Sequence, residues 1–235
     1  MSKELSYKIE TLNLLNQLTL SLSNSIIVNK NEDETRFVVN RFNASETISF
    51  FFNAPISDFD FDGDEIAFYN FAEFFQLISV FKDPKITQDL NKLIISKNNS
   101  KIKYVLSDSE IISKGPKGFE ISEDANCEFE LNAEELKNLG KMIGLVSAEK
   151  ANIKVNNGKL TITLCNETHE NTFDKEFTTI TSDGEDFAFN IPSEIFTTIP
   201  PGNYKVMIFK DGLVMLEYKS TNVSLKLLVG EISND

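Results

Sequence analysis

The sequence contains no tryptophan, one histidine and two cysteines, and it is short of positive charge. Each shortage removes a class of function. Cys127 and Cys165 form no CxxC pair and no cluster with histidine, so neither a disulfide scaffold nor a metal site is expected, and both read as reduced, buried thiols. His169 lies in a polar stretch with Glu167, Thr168 and Glu170 and has no nucleophile beside it, which is not a catalytic constellation. No run approaches the roughly 18 apolar residues of a membrane span. Met1-Ser2-Lys3-Glu4-Leu5 lacks the apolar core of a secretory signal, so the chain is expected to stay in the cytoplasm where it is made. The formal net charge of −13 argues against a protein that coats nucleic acid, because holding phosphate takes a basic surface. Any DNA contact must come from a local basic face, with the acidic excess turned elsewhere.

What is present describes an ordinary folded chain. Its 235 residues suffice for one large β domain or two smaller ones, each with a proper core. Apolar residues make up 41% and charged residues 25%, which excludes disorder, and there are 20 phenylalanines. Asp58-Phe59-Asp60-Phe61-Asp62-Gly63 imitates the opening of a calcium loop, but the twelfth position is Tyr69 where a bidentate glutamate is needed. The same alternation also describes a strand with one apolar face. Gly115-Pro116-Lys117-Gly118 lacks phosphate-loop spacing. The sequons at Asn43, Asn98, Asn166 and Asn222 mean little in a cytoplasmic protein. Carboxylates are plentiful but none pair into a shared cleft by sequence, and neither an enzyme nor a cofactor is expected.

The chain repeats itself. Asp62-Gly63-Asp64-Glu65-Ile66-Ala67-Phe68 matches Asp183-Gly184-Glu185-Asp186-Phe187-Ala188-Phe189 in character, at an offset of 183 − 62 = 121. That offset sets Leu15, Leu18 and Leu22 on Leu136, Leu139 and Ile143, and Leu93, Ile94 and Ile95 on Val214, Met215 and Leu216. Each half opens with an amphipathic helix: 6–22 with Ile9, Leu12, Leu15, Leu18 and Leu22 on one stripe, and 132–146 with Leu136, Leu139, Ile143 and Val146. Asn132 is an N-cap, with Glu134 and Glu135 in the first turn. Strands follow at 25–28, 36–41 and 47–52, and again at 152–155, 159–164 and 173–180, with a hairpin turn at Asn156-Asn157-Gly158. A second helix, 70–81 or 192–199, precedes the closing strands 92–96 and 101–106, or 213–218 and 223–229. The intervening 108–124 suits neither helix nor central strand and reads as a connector. The organisation is therefore an α+β domain at 1–107, a connector at 108–124 and an α+β domain at 125–235.

Pro201-Gly202-Asn203-Tyr204-Lys205 leads into an apolar strand, and Phe68-Tyr69-Asn70-Phe71 runs into the helix that ends Leu77-Ile78-Ser79-Val80. With the repeated order, which covers nearly the whole chain, these segments resemble the sliding clamps of T4-like bacteriophages. The resemblance implies two DNA-clamp domains, each with two helices on antiparallel sheets, assembling as a homotrimeric ring around double-stranded DNA in the infected bacterial host. It implies a replicative DNA polymerase and an ATP-dependent clamp loader as partners, a role in late transcription in that branch, and no catalysis by the ring.

If helices line the hole, Lys137 and Lys141, flanked by Gly144 and Ala148, face the DNA. In the first half that face offers Asn13, Gln17 and Lys3, with Lys82 and Lys85 after the second helix, which is little positive charge. Lys137 and Lys141 equally describe a solvated helix face. An apolar groove for partner peptides, also implied by the resemblance, falls to Ile111, Ile112 and Phe119 of the connector, with Tyr204 and Val206 beside it. The alternative is that these side chains pin the connector to a sheet. A virion structural protein and a monomeric, one-faced DNA-binding processivity factor are the competing functions.

Overall fold

A computed structural model describes residues 3–116, 121, 124–168 and 170–232. They form two compact units: Met1–Phe42 with Phe51–Gly118 and Thr221–Ser224, and Asn43–Phe50 with Phe119–Ser220 and Leu225–Asp235. The chain order is β1 (Lys3–Tyr7), α1 (Ile9–Leu22), β2 (Ile26–Lys30), β3 (Arg36–Phe42), β4 (Ile48–Pro55), β5 (Phe59–Asp60), β6 (Glu65–Phe68), α2 (Phe71–Phe81), β7 (Lys85–Asp89), β8 (Lys92–Lys97) and β9 (Ser100–Val105). The same order then recurs as β10 (Cys127–Leu131), α3 (Ala133–Val146), β11 (Lys150–Asn156), β12 (Lys159–Cys165), β13 (Phe173–Phe177), β14 (Thr179–Ser182), β15 (Phe187–Pro192), α4 (Ile195–Thr198), β16 (Tyr204–Phe209), β17 (Leu213–Tyr218) and β18 (Ser224–Gly230).

The first unit arranges its strands as β5-β1-β7-β8-β9 and β4-β3-β2-β6, and the second as β14-β10-β16-β17-β18 and β13-β12-β11-β15. Adding nine to each strand number of the first gives the second, so the repeat read from sequence is a repeat of topology. No single offset describes it. The first helices start at Ile9 and Ala133, 133 − 9 = 124 apart, whereas the left-handed turn glycines Gly63 and Gly184 are 184 − 63 = 121 apart. Loops of different length absorb the difference, so Leu15 corresponds to Leu139 and Leu12 to Leu136.

Several boundaries differ from the sequence reading, and three of them change which element a residue belongs to. Ser6 and Tyr7 belong to β1, where they pair with Asp60 and Phe59, and the helix begins only after Lys8. Residues 173–180 divide into β13 and β14, on different sheets. Pro192 ends β15 opposite Lys150 instead of starting a helix, and α4 is a single turn. In each case two short elements of like hydrophobicity abut, and only the pairing partner separates them.

The second unit's first helix is strongly specified. The Asn132 side chain accepts hydrogen bonds from the Glu134 and Glu135 amides while Glu135 reaches back to the Asn132 amide, closing a capping box. Leu136, Leu139 and Val146 are buried, each stabilising by about 1.5–3 kcal/mol relative to exposure. Ser147 in the left-handed conformation stops the helix. Gly140 faces α4, where an added Cβ would lie 3.5 Å from the Phe196 carbonyl oxygen, so the small residue lets the two helices meet closely.

α1 has no side-chain cap. The Lys8 amide donates to the Asp58 carbonyl (2.9 Å), and the buried Asp58 carboxylate accepts from Thr11 Oγ1 (2.7 Å) and pairs with Lys8 Nζ (2.5 Å). The first carboxylate of the calcium-loop imitation is thereby engaged in fastening a helix. At the other end of α1 the buried Arg41 guanidinium donates to Ser23 Oγ (3.0 Å) and Ser25 Oγ (3.2 Å). Its compensation is the negative end of the helix. The first unit's core is aromatic: Phe59, Phe61, Phe68, Phe71 and Phe74 are fully buried, with neighbouring ring centroids 4.9–6.2 Å apart. Phe59 and Phe61 thus mark an inward-facing strand edge.

Candidate nucleic-acid and partner interface

The two basic residues on the outer face of α3 stand clear. Lys137 and Lys141 are exposed, and neither meets a carboxylate among the described residues. Gly144 shares that face and would have no atom within 4 Å of an added Cβ. Ala148, placed there by sequence, is instead buried beyond the helix end, because Ser147 turns the chain inward. Leu145, 74% exposed, completes the face.

The first unit is different. Asn13 is exposed and Gln17 half-buried on α1, beside Glu10 and the exposed Leu20. Lys3 is not on this helix. It lies on β1 with its ammonium 2.7 Å from Asp60 Oδ1 and 3.0 Å from the Phe61 carbonyl, so it is already neutralised. Lys85 lies on β7 and pairs with Glu4 at 2.6 Å. Lys82 caps α2 in the left-handed conformation, exposed, and its carbonyl accepts from the Lys97 ammonium.

The connector residues divide. Ile112 is buried against Ile27 and Ala67, pinning the connector to the first unit, while Ile111 is 70% exposed. Phe119 lies outside the described residues, as does His169. Tyr204 and Val206 line no surface groove. Both point into the second unit's core, where the fully buried Tyr204 hydroxyl donates to the Pro200 carbonyl at 2.6 Å and its ring lies 5.4 Å from Tyr218. The alternate residues of β16 form the feature that sequence reasoning missed. Met207 and Phe209, with Met215 of β17, make a second buried apolar cluster on the opposite face, and the partly buried Ile121, Ala125, Leu213 and Leu228 pack against it. Strict alternation groups Lys205, Met207 and Phe209 against Tyr204, Val206 and Ile208, but with both faces apolar the sequence does not say which set packs in which core.

Two sheet edges complete the geometry. β9 pairs only with β8 among the described residues and exposes Lys101 and Lys103. β13 pairs only with β12 among them and exposes Asp174 and Glu176. One edge is basic and the other acidic.

No known sequence family and no curated protein matches the chain by sequence. Solved structures do match it in shape. The A. fulgidus PCNA bound to the C-terminal region of FEN-1 superposes with a TM-score of 0.76 at 11% identity, covering 100% of both chains. PCNA from Entamoeba histolytica gives 0.74 at 13% identity over 99% of this chain and 100% of its own. The PCNA2–PCNA3 complex from Sulfolobus tokodaii gives 0.71 at 10% identity over 98% and 99%. From one end to the other, the chain has the two-domain fold of PCNA-type sliding clamps.

Proposed function

We propose that this protein is a non-enzymatic sliding clamp, a homotrimer of six domains closed around duplex DNA that tethers a replicative polymerase and is loaded by an ATP-hydrolysing clamp loader. The observation that carries the reading is full-length agreement with PCNA clamps in both halves at once. The ring prevents dissociation topologically, so strong attraction to DNA is unnecessary, and an acidic chain with a few free lysines suits it. Phosphate contacts of this kind hold the duplex without reading its bases.

The open edges supply a joint. A head-to-tail contact closes into a ring when its rotation permits, and pairing β9 of one protomer with β13 of the next removes two exposed sheet edges. Lys101 and Lys103 then oppose Asp174 and Glu176. For partner peptides we place the contact on the partly buried Ile121, Ala125, Leu213 and Leu228, above the Met207, Phe209 and Met215 cluster, whose thioethers can repack beneath varied side chains. A T4-like phage origin, work in the infected host and a part in late transcription belong to the same proposal, as does division at 1–107, 108–124 and 125–235.

The test is mass and topology together. Light scattering across a dilution series should give three times 26.5 kDa, falling on dilution. Protein mixed at high concentration with nicked circular plasmid should remain with it through gel filtration, and should be lost when the plasmid is cut once. A monomer at every concentration, or retention that ignores the cut, defeats the ring.

A further inference from the structure

The two units repeat each other strand for strand, but their helices do not repeat in charge. Of the four helices among the described residues, α3 alone contains lysine or arginine. α1 turns Glu10, Asn13 and Leu20 outward, α2 turns Glu73, Gln76 and Val80 outward, and α3 turns out Lys137 and Lys141 with Glu134 one turn before them. The other lysines near the first unit's helices are held: Lys8 by Asp58, Lys3 by Asp60 and Lys85 by Glu4. Lys82 lines a surface hollow with Asp83 and Glu10, as Lys141 lines one with Glu135; what sets Lys82 apart is its place beyond the end of α2.

We infer that DNA is held electrostatically by every second domain of the ring: one Lys137–Lys141 pair per protomer, with the first unit's helices, which carry Glu10 and Glu73 but no lysine or arginine, making no ion pair with phosphate. This rests on the clamp reading. It gives three attachment points around the duplex where the fold offers six. Two lysines from each of three protomers neutralise at most six phosphates, so the logarithm of affinity falls against the logarithm of salt with a slope of about −5, roughly a thousandfold between 50 and 200 mM. Between these points the duplex meets amides, apolar side chains and the carboxylates of Glu10 and Glu73, across which it can move without exchanging ion pairs.

The experiment measures binding of a fluorescent 40-base-pair duplex by anisotropy across that salt range. The Lys137→Ala, Lys141→Ala double variant should lose most of the slope. Lys82→Ala should change it by less than about one unit, and Asn13→Lys with Gln17→Lys should steepen it by up to about five. All five positions are at least partly exposed, and circular dichroism confirms folding. The inference is overturned if the α3 variant keeps the wild-type slope, if Lys82→Ala flattens it as much, or if the added α1 lysines leave it unchanged. Retention on nicked circular plasmid, measured on the same proteins, separates this from the clamp reading: loss of retention by the wild type defeats the ring, whereas retention with slopes unlike those expected defeats only the assignment to α3.

Discussion

Reversing the charge of one sheet edge should open the ring, and reversing both should close it again. In Lys101→Glu with Lys103→Glu, the acidic edge at Asp174 and Glu176 of the next protomer would face like charge. Opposed charged pairs across antiparallel strands contribute about 0.2–1 kcal/mol each, and like pairs oppose by a similar amount. Two pairs changing sign therefore weaken one joint by about 1–4 kcal/mol, which is roughly 5-fold to 1000-fold in its dissociation constant. Adding salt should shrink the effect, because exposed charges are screened over about 10 Å at 0.1 M. Sedimentation velocity at low salt should show the double variant dissociating at higher concentration than the wild type. The four-site variant that also carries Asp174→Lys and Glu176→Lys should regain the trimer. A first variant that dissociates like the wild type, or a four-site variant that stays apart, would refute the pairing of these edges.

Three further outcomes follow from local structure. Burial raises the Asp58 carboxyl, but hydrogen bonds from Lys8, Thr11 and Ser57 outweigh it and hold the group below the ordinary carboxylate range. Its stabilisation is therefore present above about pH 4 and is lost as pH falls through the folded value; Asp58→Asn should lower stability by roughly 2 kcal/mol at pH 7, and the gap in Tm should narrow in acid. Burial, then the charges of Asp183 and Glu128, pushes the Cys127 thiol up to about 11, while Cys165 is only half-buried. A disulfide reagent at pH 8 should titrate one thiol in the native protein and two in denaturant, since only the thiolate attacks. Asn132→Ala should cost about 1 kcal/mol in urea melts by removing the α3 cap, and Asn132→Ser should restore most of it.

The duplication, the two leading helices and most strand positions were legible because each rests on local periodicity or on turn residues with left-handed freedom. Gly63 and Gly184 kept their shared offset for that reason. The capping box at Asn132 was legible because capping is a matter of three adjacent residues. What could not be read depended on partners distant in the chain. Ser6 and Tyr7 join a strand only because residues 59–60 lie beside them. Lys3 matched the helix face on a wheel yet belongs to Asp60, fifty-seven residues away in sequence. Tyr204 looked like surface apolar area until the pairing of β16 with β10 showed which alternate set is inside. Hydrophobicity alone does not fix the side of a strand whose two faces are both apolar, and β16 is such a strand.

The aromatic core of the first unit offers a native reporter. With no tryptophan in the chain, intrinsic fluorescence comes from five tyrosines and distinguishes the units poorly. The five packed phenylalanine rings, however, lie close enough to shift each other's proton resonances by their ring currents, and they occur in one unit only. A one-dimensional proton spectrum recorded during heating should therefore report melting of the first unit through the resonances of this cluster, told apart from those of the second unit's Phe129–Phe177, Phe187–Phe189 and Tyr204–Tyr218 pairs, and comparison with total helix loss by circular dichroism would tell whether the two halves unfold together.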